Sequence, residues 1–263
     1  MNVPDKPLPP NLLLPAISLV AHSAEHRRPQ GIMSDPVAAS WMDGLSSVYY
    51  GIPNPEWELI NGIITRSIII DYAVMAFINS HRRVVVSDLG AGFSTRFWRL
   101  RPCIQMWIHI DLPDILQARC AMQRMGELEI ALGRDLTNPD DYPLSLSGEF
   151  TTNTLFLAEG VLNHLPQEKA HDLLQLLSRD YRGSTLLATV MTQHAMDGLT
   201  TLSDGLKRPL PVWAIQSISE LDEWLKPAHR ERTWLLGKVS NRLGLVRPKW
   251  GDDASGYVFQ AKL

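Results

Sequence analysis

Cysteine is scarce in this sequence: Cys103 and Cys120 are the two in 263 residues. Two thiols at that spacing give neither a disulfide framework nor a metal-type pattern, and the usage fits a reducing, cytoplasmic compartment. An excess of positive charge is missing as well. The formal charge is −3, so the bulk composition offers no electrostatic footing for nucleic acid. Long apolar runs are missing too. Leu12 to Leu14 is short and flanked by proline, which excludes a signal peptide or membrane span there, and no later run reads as one. Nor is there a convergent set of carboxylates and amides to hold a metal. The expectation is a soluble chain with no nucleic-acid partner, no membrane partner and no metal.

The material for a core is present. Apolar residues make up 45% of the chain, ordinary for a globular protein, and the length suits one α/β domain with an added cap. The eight tryptophans admit two readings, core packing or an aromatic pocket. Residues 1–15, rich in proline, read as a tail without regular structure. Residues 16–80 read as a helical cap and lead-in. Ile17, Val20, Ala21 and Ala24 fall at helical spacing, and Asp35-Pro36 marks a second helix start. Leu59, Ile63, Ile64, Ile68, Tyr72, Met75 and Ile78 form a third helical series.

From residue 84 the texture changes. Val84–Leu89, Met106–Ile110, Leu128–Leu132, Thr154–Ala158 and Thr185–Met191 are short apolar runs. Helical stretches over roughly Thr95–Leu100, Pro113–Gly126 and Pro166–Tyr181 lie between them. Such alternation predicts a mostly parallel sheet with right-handed crossovers. Thr233–Val239 and Tyr257–Leu263 add two strands with no convincing helix between them, which predicts an antiparallel pair at the sheet edge. The expected fold is α/β: a Rossmann-like seven-stranded sheet in one domain over residues 16–263, with an insertion around 192–230.

The most informative stretch is Asp88-Leu89-Gly90-Ala91-Gly92-Phe93-Ser94-Thr95-Arg96. A strand that ends in Gly-x-Gly and turns into a helix lets backbone approach a ligand, since neither glycine has a Cβ. The third glycine of the dinucleotide fingerprint is missing, so a ligand without phosphates is favoured. A tight turn with no ligand leaves the same trace. Acidic residues then close successive strands. Asp111 follows the glycines by about twenty residues, where a carboxylate accepts from both ribose hydroxyls. Asp135 is placed to accept from an adenine amino group, and Glu159 ends the fourth strand beside the expected switch point. Each alone fits a solvated turn or a helix cap; the three in order argue for a nucleoside site. The ribose logic admits NAD as well, and the incomplete glycine pattern counts against it.

Four blocks carry a resemblance. They are Arg66 with Asp71, Leu89-Gly90-Ala91-Gly92-Phe93-Ser94-Thr95-Arg96-Phe97-Trp98-Arg99-Leu100, His109-Ile110-Asp111-Leu112-Pro113, and Ala158-Glu159-Gly160-Val161-Leu162-Asn163-His164-Leu165-Pro166. In order over about Ala16 to Tyr181, they resemble the leucine carboxyl methyltransferase family of class I S-adenosylmethionine-dependent enzymes. That family includes carboxyl methyltransferases of phosphatase C-termini and tetracenomycin-type polyketide O-methyltransferases. The resemblance implies S-adenosylmethionine as cofactor, held on a methyltransferase sheet. It implies Arg66 on the methionine carboxylate through two parallel hydrogen bonds. It further implies Asp88, Gly90, Ala91 and Gly92 around the backbone approach, Asp111 and Leu112 at the ribose, and Asp135 and Leu136 at the adenine. Glu159 and Gly160 would lie by the methionine end and the sulfonium. Three departures stand out: Ser94 where the family usually has Asp, His164 where an aromatic is common, and a poor match after about Met191, where the acceptor pocket is built.

Methyl transfer is an in-line displacement at a sulfonium carbon, so a protein has chiefly to align donor and acceptor and exclude water. An ionised carboxylate acceptor needs no base, whereas a phenol or enol calls for one, and histidine suits. His164, after the fourth strand, and His194, after the fifth, are the candidate catalytic residues. Each also has a structural reading, as a helix cap or as a partner of Asp172 or Asp197. His22 and His26 are further histidines in the cap. Trp41, Trp213, Met191 and Met196 are candidate pocket walls, and Lys207–Pro211 reads as an exposed loop able to serve as a lid. Three functions stay open. The first is an O-methyltransferase of a small-molecule hydroxyl or carboxyl in secondary metabolism, such as a polyketide. The second is a carboxyl methyltransferase of a peptide or protein C-terminus, which asks for an acceptor pocket rich in cations. The third is a methyltransferase fold put to a non-methylating use, pericyclase-like or binding. The oligomeric state is not legible.

Overall fold

A computed structural model describes residues 6–141, 153–202, 211–245 and 256–263. Strand β1 (Lys6–Pro7) comes first, then helices α1 (Leu13–Arg27) and α2 (Pro36–Val48), strand β2 (Tyr49–Tyr50) and helix α3 (Trp57–Ser80). Next follow β3 (Val85–Leu89), α4 (Arg96–Leu100), β4 (Met106–Asp111), α5 (Pro113–Met122) and β5 (Glu129–Gly133). The second half holds β6 (Thr154–Ala158), α6 (Gln167–Asp180), β7 (Thr185–Val190), α7 (Gln193–Leu202) and α8 (Glu220–Trp224). It closes with β8 (His229–Leu235), α9 (Leu236–Arg242) and β9 (Tyr257–Lys262).

β3 to β9 form one seven-stranded sheet in the order β5-β4-β3-β6-β7-β9-β8. It is parallel except for β9, which runs antiparallel to both β7 and β8. β3, β6 and β7 are buried along their whole length, as strands must be when helices cover both faces. Neighbouring side chains go to opposite faces. Val86 packs with Ile70, Val74 and Phe77 of α3, whereas Val85 packs with Leu173 and Leu177 of α6. The chain lays β4 and β5 to one side of β3, then returns to place β6 on the other. The gap above β3 and β6 is therefore the switch point at which open α/β sheets hold ligands.

Three elements differ from the sequence reading. Residues 6–12, expected to be irregular, are ordered: β1 pairs in parallel with β2, and Leu12 packs with Trp41, Leu45 and Phe93. Pro7 suits an extended edge strand, and Pro10 opens a 3-10 turn over Pro10–Leu12 that leads into α1. Helix α9 lies between β8 and β9, where no helix was expected. Its Val239 joins the cluster under α3, and that tertiary contact stabilises a helix too short to stand on pattern alone. Finally, α3 has 24 residues and is apolar enough to cross a membrane by length and composition, contrary to the reading that no such run occurs. In the fold it is a core helix, with Ile60, Ile63 and Ile64 against the cap and Ile70 and Val74 against the sheet.

Candidate active site

A cavity of about 470 Å³ opens at the switch point, within the usual range for cofactor sites. Arg66, Asp88, Gly90, Ala91, Gly92, Asp111, Leu112, Asp135, Leu136, Glu159 and Gly160 all line it. Blocks far apart in sequence thus converge on one space. Leu14, Pro15, Ile17 and Ser18 of α1 contribute to its wall, as does Asn11, which is hydrogen-bonded to Asp114 of α5. Two glycines are required by contact. Gly90 has φ +66°, and a Cβ on it would meet Val161 Cγ2 at 2.6 Å. Gly160 also has φ +66°, and its Cβ would lie 3.1 Å from Arg66 Nη1. A side chain at either position would strain the backbone and crowd the cavity wall.

Arg66 reaches this space from α3 and donates through Nε to Glu159 Oε1 at 2.8 Å. Its two terminal nitrogens make no hydrogen bond to the described residues. Glu159 also accepts from Arg96 Nη2 and from Ser67 Oγ. Both of its oxygens are therefore engaged, and its carboxylate serves first as the anchor of Arg66. Beyond it the pairing continues. Arg96 Nε donates to Asp71 Oδ1 at 2.7 Å, Arg99 Nε to Asp71 Oδ2 at 2.9 Å, and Arg99 Nη1 to Asp35 Oδ2 at 2.8 Å. Asp35 caps α2 through the Ala38 N–H at 3.0 Å and meets His22 Nδ1 at 2.9 Å. His22 is thus a buried member of the cap network rather than part of the main cavity wall.

Three arginines and three carboxylates alternate through this chain, so its formal charges balance. Burial alone would raise the pKa of Glu159, but the Arg96 and Arg66 charges outweigh it and hold the carboxyl well below the usual range. Asp35 follows the same logic: the His22 hydrogen bond and the Arg99 charge overcome its burial. Asp35 as the cap of α2 was legible in the sequence. Arg96 and Arg99 were not assigned a role. The one local signal was a cation in the first turn of a helix, where the helix dipole disfavours it.

At the end of β4, Asp111 Oδ2 accepts from the Gly92 N–H at 2.7 Å and Oδ1 from the Leu112 N–H at 2.8 Å. These bonds fix the carboxylate beside the glycine turn. Burial raises its pKa, and the two N–H groups offset part of that rise. A carboxylate has lone pairs left for further donors. Asp135 Oδ1 accepts from the Thr137 N–H at 2.8 Å and its hydroxyl at 2.7 Å, which orients it at the end of β5.

Beneath the glycine turn lies a polar cluster that sequence reading missed. Arg119 donates to the Gly92 carbonyl at 3.0 Å, with its guanidinium carbon 5.3 Å from the Trp41 ring and 5.0 Å from the Trp98 ring. Trp41, expected as a pocket wall, is instead a buried member of this stack. His109 Nε2 lies 3.0 Å from Glu129 Oε1, and its Nδ1 lies 3.9 Å from Asp88 Oδ2. Burial pushes Asp88 up to about 6 against the opposing charges of Arg96 and Arg119. A carboxyl whose folded pKa is raised loses stability as pH climbs from its ordinary value toward 6, and the loss is constant above that. Asp88→Asn is therefore expected to stabilise the ligand-free protein by about 2–3 kcal/mol above pH 6. The gain should vanish below pH 4. Urea unfolding at pH 4 and pH 7.5 measures it, and a gain independent of pH would place the strain elsewhere.

The cavity is also lined by Leu59 and Ile63 of α3 with His164, Leu165, Met191 and Pro211. His194 does not join them. It is exposed on α7, which leaves the end of β7 tied to Ile215 through a bridge at Thr192 and the Gln193 N–H. Trp213 and Met196 do not line the cavity either. Trp213 Nε1 donates to the carbonyls of Leu162 and Leu165 at 3.1 and 3.0 Å. Asn163 Nδ2 donates to Trp213 O, and Asn163 Oδ1 accepts from the Met191 N–H, both at 2.9 Å. Trp213 and Asn163 thus clamp the turn that carries His164. Of the expected lid segment, residues 207–210 lie outside the described residues.

A switch-point cavity on this strand order defines a Rossmann-like methyltransferase fold. The chain belongs to the leucine carboxyl methyltransferase family, whose model matches residues 16–178, and its cofactor is S-adenosylmethionine. Among solved structures it is similar to a DUF574 family protein from Streptomyces avermitilis MA-4680, at 14% identity and TM-score 0.61, over 93% of this chain and 96% of that one. It is also similar to the magnesium protoporphyrin IX methyltransferase ChlM from Synechocystis PCC 6803, solved with S-adenosylhomocysteine. That match has 15% identity and TM-score 0.50, over 81% of this chain and 90% of ChlM. Against LepI, at 14% identity and TM-score 0.46, 70% of this chain spans 43% of that one. No curated protein sequence matches the chain.

Proposed function

We propose that this chain is an S-adenosylmethionine-dependent O-methyltransferase acting on a small-molecule acceptor, a hydroxyl-bearing secondary metabolite of the polyketide kind. The observation that carries the reading is one cavity whose lining brings Arg66, Asp111 and Asp135 together with His164 and the apolar Leu59, Ile63, Leu165, Met191 and Pro211. The residues present suit the cofactor. Unused guanidinium nitrogens on Arg66 complement its carboxylate, and the unpartnered Asp88 Oδ2 complements its amino group.

When bound, the cofactor supplies a methyl group on a sulfonium. Arg66 holds the methionine carboxylate as a fork. Asp111 accepts from the ribose and Asp135 from the adenine amino group. Helix α1 shields the site from water, which favours the displacement. His164 takes the proton of the acceptor hydroxyl at a ring nitrogen. His164→Ala is expected to slow turnover about 100-fold or more, while affinity for S-adenosylhomocysteine stays within about threefold. A matching loss of both would return His164 to a structural role.

The family match favours a second reading, methylation of a peptide or protein carboxylate. Two products separate the readings. Labelled methyl transferred to a carboxylate is released as methanol in mild base, whereas a methyl ether is stable. Incubating the protein with methyl-labelled cofactor and panels of phenols, enols, carboxylic acids and C-terminal peptides tests both. Base-stable label on the first two panels is expected. Base-labile label confined to peptides would replace the first reading by the second.

A further inference from the structure

Of the three arginines that line the cavity among the described residues, Arg66 and Arg96 are paired with carboxylates and Arg134 is not. Arg134 follows β5 directly and lines the cavity beside Asp135. Its Nε is buried without a hydrogen-bond partner, and its Nη1 donates to the carbonyl of Gly133, its own chain neighbour, at 3.0 Å. No ion pair joins it to a carboxylate among the described residues. Arg96 and Arg99, by contrast, each hold two carboxylates. The Arg134 N–H donates to Asp111 O at 2.8 Å, so the side chain starts from a fixed point between two acids. A part-buried guanidinium with unmet donors is costly unless an occupant of the cavity meets them.

We propose that Arg134 is a base-recognition residue, laying its guanidinium against the adenine of the cofactor; this rests on the cavity being the S-adenosylmethionine site. Two kinds of group satisfy a guanidinium: an anion, or an aromatic face bearing ring-nitrogen acceptors. Asp111 and Asp135 line the same end, and an anion there would sit against both. Adenine meets no such conflict. Leu112, 42% exposed, and buried Leu136 offer it apolar contact. Asp135 can accept only from its amino group, and Arg134 supplies what the acids cannot: a cation for the ring face and donors for its nitrogens. The two acids thus disfavour a nucleotide phosphate, and Arg134 adds contacts for a neutral, acceptor-rich base.

Calorimetric titration of the full chain tests this, with wild type and Arg134→Met run against S-adenosylhomocysteine and, separately, adenosine 3′,5′-bisphosphate. Arg134→Met is expected to weaken S-adenosylhomocysteine about tenfold. Its ligand-free unfolding midpoint should be unchanged or raised, because an unpaired cation has been removed. Wild type is expected to bind the bisphosphate more weakly than S-adenosylhomocysteine. Three results overturn the proposal: a loss of less than about threefold, a lower ligand-free midpoint that marks a structural role, or tighter binding of the bisphosphate. Wild type that binds no S-adenosylhomocysteine removes the cofactor reading and this proposal with it. Wild-type binding left unaltered by Arg134→Met removes this proposal alone.

Discussion

Arg66→Ala should weaken S-adenosylhomocysteine binding about 100-fold or more, since removing one member of a largely desolvated, hydrogen-bonded charge pair costs about 2–5 kcal/mol. Two losses combine. The terminal nitrogens that have no protein partner disappear, and with them the fork for a carboxylate. Glu159 also loses the 2.8 Å bond from Nε and keeps Arg96 and Ser67 as its donors. Its charge then turns partly toward the cavity, where the carboxylate of the cofactor would lie. Calorimetric titration, with the ligand-free unfolding midpoint measured in parallel, separates lost contact from lost folding. Arg66→Lys retains the charge but not the fork, and is expected to recover little of the affinity. Affinity unchanged in Arg66→Ala would remove this residue from the cofactor site.

Arg96→Met should have the largest effect on stability. The arginine is fully buried and joins Asp71 to Glu159. Taking it away leaves two carboxylates short of their shared cation in the interior, and breaking a buried pair in this way costs about 3–5 kcal/mol. Wild-type Glu159 has a lowered pKa, to which Arg96 is the leading opposing charge after burial. A lowered folded pKa gives stability that is present above the ordinary carboxyl range and is lost as pH falls through and below it. The deficit of Arg96→Met should therefore be widest near neutrality and narrow toward pH 4. Urea unfolding at both pH values reads it out. A deficit below about 1 kcal/mol at pH 7 would mean that the desolvation cost of this network nearly cancels its attraction.

The same network explains why one part of the site was legible in the sequence and another was not. Gly90, Gly92, Asp111, Asp135 and Glu159 each sit at the carboxyl end of a strand. A strand end followed by a helix can be read from a dozen contiguous residues, and parallel βα units bring all such ends to one edge. Their convergence on one cavity needed no knowledge of side-chain packing. The cap of α2 was likewise written locally, in Asp35-Pro36.

Side-chain partnership over distance was not written there. Arg66 and Glu159 are 93 residues apart, and Arg99 and Asp35 are 64 apart. No periodicity announces that α1, the start of α2, α3 and α4 meet end to end in charge. Trp41 and Trp213 are apolar enough for a pocket wall, but their neighbours decided otherwise. Arg119 gives Trp41 a cation to stack on, and Trp213 finds two carbonyls for its N–H. His194 follows a strand end as His164 does, yet α7 carries it to the surface while Asn163 and Trp213 pin His164 at the cavity. By itself the sequence determined the mostly parallel sheet with its antiparallel edge, the glycine turn and the acids around it, because those follow from backbone conformation and local pattern. Only the tertiary structure decided which arginine meets which acid and which histidine faces the site. Those choices rest on packing between segments whose separation along the chain carries no signal of their contact.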